Sequence, residues 1–437
     1  MNQRHISSRR QFLTRSALAA GGAVIWGGCQ TATSGRRVLG ANDRLNIAAI
    51  GTANRAAANI KGVQSQNIVA LCDVDATFLA AKSKEFPAAK TYRDFRRMLE
   101  QRDIDAVVIG TPDHSHAVAT VMALQSGRHV YCEKPLTRTV SEARAVAKAA
   151  RRSGLVTQMG NQIHASDNYR RVVELVRSNA IGAVREVHVW AAAIYGNLEP
   201  PRQFPPVPAG LDWDLWLGPL APQPYHPDYV PFKWRNWWAF AGGTLADFGC
   251  HYMDLPHWAL DLRAPLAVGP VETPPPDPLR PPIWLVLKYE YPARGMQPPV
   301  TLFWHHGGRQ PEHLLGAHAD KFRSGVLFIG EKGMLLADYS RRLLLPEEKF
   351  KDFPAPKPFL PDSVGHHEEW IRACKGQGRT LSHFDYAGAL TEAVLLGNVA
   401  HRVSQRITWD TRALRATNCP AADEFVQHHY RRGWKLA

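Results

Sequence analysis

The chain has 437 residues, of which 45% are apolar and 21% charged, with a formal net charge of +14. A chain of that size and apolar content can bury a large core, so a disordered or fibrous protein is excluded and two domains, or one large one, are expected. No basic run interleaved with aromatics suggests nucleic acid, and a charge excess of this kind usually marks a solvated face.

At the start, Ser8-Arg9-Arg10-Gln11-Phe12-Leu13 precedes a weakly apolar run, Ala17 to Gly28, too short and glycine-rich to span a bilayer. The order of paired arginines, Phe-Leu and an Ala/Gly run reads as a twin-arginine export signal, implying the Tat export machinery as a partner and a periplasmic or exported protein. The run ends Trp26-Gly27-Gly28-Cys29, which resembles a lipoprotein acceptor site, although Trp26 stands where an aliphatic residue is usual. Membrane attachment through a lipid on Cys29 and plain cleavage nearby both stay open. Residues 1–29 carry four arginines and no acid, so their loss lowers the formal charge from +14 to +10. Residues 1–34 are assigned to signal and tether, and the small polar residues from Gln30 to Asp43 fit a flexible link. The other cysteines, at 72, 132, 250, 374 and 419, have neither CxxC nor metal-type spacing, so no disulfide framework is expected.

Order begins at Leu45-Asn46-Ile47-Ala48-Ala49-Ile50, an apolar run that ends at Gly51 and leads through Thr52-Ala53-Asn54-Arg55-Ala56 into a helical pattern. This is the place of a dinucleotide fingerprint, where glycines let the backbone approach a pyrophosphate at a helix N-terminus. The fingerprint is degenerate: Ala53 and Ala56 replace its second and third glycines, and Ala53 puts a methyl where a phosphate should come close. A second run, Ile68 to Cys72, ends at Asp73, near the spacing expected for a ribose ligand. A carboxylate there accepts from two ribose hydroxyls and repels a 2'-phosphate, which favours NAD over NADP.

Ile104 to Gly110 leads into Thr111-Pro112-Asp113-His114-Ser115-His116, a turn-forming loop at another strand end. With no third ligand near His114 and His116, lining a cofactor cleft is favoured over metal binding. The run His129-Val130-Tyr131 delivers Cys132-Glu133-Lys134-Pro135-Leu136, a carboxylate and an ammonium side by side where proline stops strand pairing. A helix over Val140 to Arg152 and the run Val156 to Gln162 follow. Strand and helix patterns alternating from 45 to 162 predict a doubly wound parallel sheet, hence an α/β domain over 44–165.

The remainder, 166–437, has longer strand-like runs at Val184–Trp190, Ile283–Tyr289 and Val300–Trp304, with a shorter one at Val326–Gly330. They predict an α+β domain with a large, mainly antiparallel open sheet. Residues 196–238 are rich in Pro and Trp, and tryptophan faces beside cations suit a sugar; simple loop packing is the alternative. Pro274 to Pro282 reads as a surface loop, and helical patterns follow at His366-His367-Glu368-Glu369-Trp370 and Ala387 to Val403. In Gly242-Gly243-Thr244-Leu245-Ala246-Asp247-Phe248-Gly249-Cys250-His251-Tyr252-Met253-Asp254, helical spacing puts Asp247 and His251 on one face with Asp254 a step along. A catalytic acid–histidine pair, two metal ligands and a packing arrangement are all compatible with that face. Further ligands for a metal cannot be placed.

Ala70-Leu71-Cys72-Asp73, Thr111 to His116, Glu133-Lys134-Pro135 and Met159-Gly160-Asn161-Gln162 resemble the Gfo/Idh/MocA family of NAD(P)-dependent sugar oxidoreductases, specifically its exported twin-arginine branch. The likeness runs from about residue 44 to the C-terminus. It implies cofactor contacts from Gly51, Ala53, Asn54, Arg55, Asp73, Thr111, Pro112, His114, His116, Glu133, Lys134 and Gln162. For catalysis it implies Lys134, His251 and Asp247, with no metal. Substrate contacts would come from Lys134, His164, Trp234, Arg235, Trp238, Asp247 and His251. It also implies a homo-oligomer.

The reaction so implied is hydride transfer at a sugar CH–OH, with Lys134 stabilising the developing alkoxide and His251 taking the proton. A periplasmic enzyme has no obvious pool of NAD, so a retained cofactor recycled on the enzyme is expected. That leaves sugar-to-sugar exchange, epimerisation, or glycoside cleavage through transient oxidation, elimination, hydration and re-reduction. The reading from another class is a non-catalytic sugar- or nucleotide-binding protein, which loss of Lys134 or His251 would have favoured.

Overall fold

The structure is a computed structural model that describes residues 43–436. The export signal, its tether and Cys29 lie outside the described residues.

Six short apolar runs build a parallel sheet. In chain order they are β1 (Asn46–Ile50), β2 (Asn67–Cys72), β3 (Lys90–Tyr92), β4 (Ala106–Ile109), β5 (His129–Glu133) and β6 (Thr157–Gly160), arranged 3-2-1-4-5-6. Every pairing is parallel. This is the doubly wound order whose ligands bind beyond the carboxyl ends of the strands. Alternation of side chains sends Ile47 and Ala49 to one core and Ala48 and Ile50 to the other. Helices α1 (Asn54–Gly62) and α2 (Ala76–Glu85) lie on the first face, and α3 (Asp113–Gln125) and α4 (Val140–Ser153) on the second. The α4 boundary is set by side chains: Thr139 and Glu142 form a capping box at its start, and Gly154 closes it in the left-handed conformation.

After α5 (Asp167–Arg177) the chain enters a nine-stranded sheet. Its strands are β7 (Val184–Ala191), β8 (Ala267–Glu272), β9 (Leu285–Tyr291), β10 (Val300–His306), β11 (Gly325–Gly330), β12 (Gly333–Ala337), β13 (Arg342–Leu345), β14 (Ile407–Asp410) and β15 (Arg415–Ala416), in the order 13-12-11-7-10-9-8-14-15. All its pairings are antiparallel except that of β7 with β10. The fold is therefore a Rossmann-like parallel sheet followed by a mainly antiparallel one, as the sequence predicts.

Four more helices matter for the site: α6 (Gly243–Tyr252), α7 (Asp254–Leu260), α8 (His366–Cys374) and α9 (Phe384–Arg402). Among these, α8 crosses back: Trp370, Ile371 and Cys374 share a core with Leu45, Ile47 and Tyr131 of the parallel sheet. The stretch Pro274 to Pro282 also bears weight. Trp238 donates its backbone N–H to Leu279 O at 3.0 Å and its Nε1–H to Asp277 O at 3.0 Å. No helix among the described residues is long and apolar enough to cross a membrane. The five described cysteines are all buried.

Candidate active site

At the carboxyl edge of the parallel sheet, the residue after β1 is Gly51, whose φ of +87° suits glycine. A Cβ on the facing Gly110 would sit 2.7 Å from Ala56 Cβ, so α1 approaches β1 and β4 too closely for any side chain at 110. Ala53 is the N-cap of α1 in extended conformation, with no side-chain cap and no acid in the first turn. Asn54 and Arg55 follow it, both exposed. Open N–H groups with a cation beside them suit an anionic group. At the end of β2, Asp73 Oδ2 accepts from Thr52 N–H and Thr52 Oγ1–H, both at 2.8 Å, and Oδ1 accepts from Asp75 N–H at 3.0 Å. A carboxylate has lone pairs beyond these for ribose hydroxyls. Glycine turn, open helix start and terminal acid together fit a dinucleotide.

Lys134 follows β5 directly, before a cis peptide to Pro135. Its neighbour Glu133 turns away into a buried network, in which Glu133 Oε1 accepts from Asn59 Nδ2 at 2.9 Å and Gln162 Nε2 at 2.7 Å. Burial pushes the Glu133 carboxyl up against the pull of these donors. Lys134 instead reaches across to α6, where Nζ donates to Asp247 Oδ1 at 2.5 Å and to Asp247 O at 3.0 Å. Arg235 Nε donates to the same Oδ1 at 3.0 Å, and the Tyr195 hydroxyl to Oδ2 at 3.2 Å. Burial opposes charge on Asp247, but Lys134 and Arg235 outweigh it and hold the carboxyl well below the usual range.

One turn further along α6, His251 does not hydrogen-bond Asp247. Its Nδ1 lies 2.7 Å from Asn161 Oδ1, in the residue that follows β6. A side-chain carbonyl can only accept, so the proton sits on Nδ1 and Nε2 keeps its lone pair. Burial, helped by the Lys134 ammonium, pushes the imidazole down to about 3. The ring is a neutral base at pH 7.

Asp254 does not continue this face. The helix breaks at Met253, and Asp254 opens α7 with its carboxylate 2.9 Å from His164 Nδ1 and 2.7 Å from the Tyr386 hydroxyl. His164 is buried there, stacked 4.0 Å from Trp258. Trp234 carries the Arg235 guanidinium 4.0 Å from its ring centroid. Trp238 does not join them; it faces Asp277 and Arg402. His114 and His116 are buried clamps, with His114 Nε2 2.8 Å from Trp216 O and His116 2.8 Å from Pro135 O and 2.7 Å from Thr111 O. The loop after β4 is thereby tied to the Lys134 turn, and Pro112 serves as the N-cap of α3. Among the described residues no group of three or more His, Cys, Asp or Glu side chains is placed to hold a metal.

Residues 45–161 match the model of the Gfo/Idh/MocA oxidoreductase family described as its NAD-binding Rossmann fold, and residues 185–297 that of its C-terminal alpha/beta domain. Together these segments span more than half of the chain. The chain belongs to the Gfo/Idh/MocA family. Among curated members it is 33% identical over 121 residues to a 1-carboxy-3-chloro-3,4-dihydroxycyclohexa-1,5-diene dehydrogenase of Comamonas testosteroni, covering 28% of this chain and 30% of that one. It is 31% identical over 136 residues to an inositol 2-dehydrogenase of Salmonella typhimurium, covering 31% of this chain and 40% of that one. The chain thus matches well under two thirds of the length of these relatives. In fold it is similar to the WlbA dehydrogenase of Bordetella pertussis, solved with NADH and UDP-GlcNAcA. The TM-score is 0.60 at 17% identity, covering 84% of this chain and 99% of that one.

Within this Gfo/Idh/MocA chain, sequence reasoning leaves several residues at the site without a role. Asn161 was visible in the Met159–Gln162 motif but not as the partner of His251. Asp113 was visible beside His114; it is buried, its Oδ1 has no partner, and burial pushes its carboxyl up to about 8. Tyr195, in the loop after β7, and Tyr339, whose ring lies 6.1 Å from His251, carry no local signal. Only the tertiary fold brings them in.

Proposed function

We propose that the protein is an NAD-dependent oxidoreductase acting on a CH–OH group of a sugar or sugar derivative, with NAD retained through turnover. The observation that carries this reading is the pairing of Lys134, held by Asp247, with a neutral His251 whose Nε2 is left free by Asn161. Gly51, the start of α1 with Arg55, and Asp73 would hold NAD, which supplies the hydride acceptor when bound. Lys134 polarises the substrate hydroxyl, and its ammonium offsets the negative charge that grows on that oxygen. His251 Nε2 takes the hydroxyl proton. Asp247, kept ionised, fixes the lysine rather than exchanging protons itself. Tyr195, Arg235 and Tyr339 border the same cleft and orient the sugar.

A second reading, glycoside cleavage by transient oxidation, draws support from Asp113. A carboxyl that burial pushes toward its protonated form, with an unpartnered Oδ1 and within electrostatic reach of Lys134, Asp247 and Arg235, is the candidate to protonate a departing aglycone. Denaturing the purified protein and measuring NAD tests the first proposal. Stoichiometric NAD supports the retained cofactor, and an empty protein that oxidises sugars only with added NAD indicates ordinary exchange. Failure to bind NAD at all would overturn the oxidoreductase reading. Aryl glycosides then separate the two chemistries: release of the aryl alcohol by the native protein, lost in Asp113→Asn, supports cleavage, and no release rejects it.

A further inference from the structure

At the start of α6, a cavity of about 40 Å³ is lined by Arg138, Trp238, Gly242, Asn398, Arg402 and Phe425, with none of Lys134, Asp247 and His251 in its wall. It brings together two guanidiniums that have no carboxylate partner within ion-pair distance among the described residues. Arg138 donates from Nη1 to Trp238 O at 3.2 Å, and its Nε is buried with nothing to donate to. The nearest acid in sequence, Glu142, is committed elsewhere: it accepts from the Arg138 and Thr139 backbone N–H groups and from the Tyr430 hydroxyl. Arg402 lies over the Phe425 ring at 3.8 Å and the Trp238 ring at 5.2 Å. Burial, offset by Glu424 and reinforced by Arg138, pushes Arg402 down to about 10. Glu142 and Glu424 offset these charges from beyond ion-pair distance, Glu142 for Arg138 and Glu424 for Arg402, so neither guanidinium is directly paired at the cavity. The N-terminal segment outside the described residues supplies no acid, because residues 1–42 contain neither Asp nor Glu.

Two further observations point inward. Asn398 is 6% exposed; its Nδ2 donates to Gly242 O at 2.9 Å, while its Oδ1, also buried, has no donor. Gly242 is the N-cap of α6, which has no side-chain cap and no acid in its first turn. The cavity therefore offers guanidinium N–H groups for a planar or tetrahedral oxyanion and one acceptor for a hydroxyl or a water bound to it. Its volume accommodates a few water-sized groups, which excludes a whole sugar or nucleotide.

We propose that this cavity is a binding site for a small oxyanion, a phosphate or carboxylate group, distinct from the cleft that holds Lys134 and His251. Arg138 and Arg402 grip it, and the Trp238 and Phe425 rings exclude water from the charge pair. Lys134 and Arg138 belong to one turn, and Gly242 and Asp247 to one helix. An anion there ties together the two segments whose contact is the Lys134–Asp247 pair, and does so whatever reaction that pair performs.

Titration calorimetry of the full chain with inorganic phosphate, and separately with acetate, is the direct test, with chloride at matched ionic strength as reference. Saturable binding of phosphate at one site, weakened at least tenfold in Arg402→Gln and unaltered in Arg185→Gln, is expected for a phosphoryl site. The same pattern with acetate alone assigns a carboxylate. Arg185 is an exposed partner of Glu331 far along the chain, so it reports general attraction to a basic protein. Binding that falls equally in both variants, or no saturable binding of either anion to the wild-type protein, overturns the proposal. Because the wild-type titration stands alone, a poorly folded Arg402 variant does not rescue it.

Discussion

Lys134 and His251 act through partners that set their geometry, so each makes a separable prediction. Lys134→Ala removes the charge that offsets the developing alkoxide and leaves Asp247 with Arg235 and the Tyr195 hydroxyl. Turnover is expected to fall by about 10²-fold or more, the scale of losing one preorganised electrostatic group, while NAD binding measured by fluorescence stays near wild type. Unchanged turnover removes the lysine from the mechanism. Asn161→Asp places a negative charge 2.7 Å from the His251 ring. An adjacent anion favours the imidazolium, so the acid limb, where activity is lost as His251 takes its proton, moves to higher pH. The pH profile of kcat/KM should show its acid-side midpoint rising, and a profile that keeps its midpoint denies Asn161 its place beside the base.

At the scale of elements, the close approach of α1 to the sheet is the tightest constraint. Gly110→Ala sets a methyl 2.7 Å from Ala56 Cβ and 2.8 Å from Ala56 Cα, and part of that contact is backbone that cannot swing aside. Overpacking of this kind costs about 1–3 kcal/mol, read as a lower urea midpoint, and NAD binding should weaken with it because α1 shifts. The strands that form this edge were legible: apolar runs at 45–50, 68–72, 104–110 and 129–131 match β1, β2, β4 and β5 within two residues. So were the acids and the lysine at their ends, because a strand end is a local signal. The short strand β3, with sequence Lys-Thr-Tyr, has too little apolar content to announce itself. Strand β8 carries Gly269 and Pro270, which read as a break. Helical spacing extended α6 one turn too far toward Asp254, since periodicity does not see the change of axis at Met253. The Tyr195 and Asn161 contacts join segments distant in sequence, and no local pattern reports them.

For the whole molecule, the chain's many histidines become a liability in acid. Burial pushes His114, His257, His305 and His366 down to about 3, and His306 to about 4. In the unfolded chain each titrates near 6.5, so between that value and its folded value the unfolded state holds the extra proton. Stability therefore falls as pH drops below about 6.5, by roughly 1.4 kcal/mol per pH unit for each such group that stays neutral. Asp113 works the other way between its unfolded value and about 8, since the folded state holds its proton there, but it is one group against several. The thermal midpoint at pH 5 should lie clearly below that at pH 7, and equal midpoints would contradict the burial of these rings.

The return of α8 to the first sheet carries a consequence for how the chain is made. Leu45, Ile47 and Tyr131 are synthesised early, yet Trp370, fully enclosed against them, emerges from the ribosome more than two hundred residues later. Until then only α1 and α2 cover that face of the parallel sheet, and its core lacks the last helix that completes it. A nascent chain stopped before His366 should therefore leave Leu45, Ile47 and Tyr131 incompletely covered, and is expected to engage chaperones that bind exposed apolar segments.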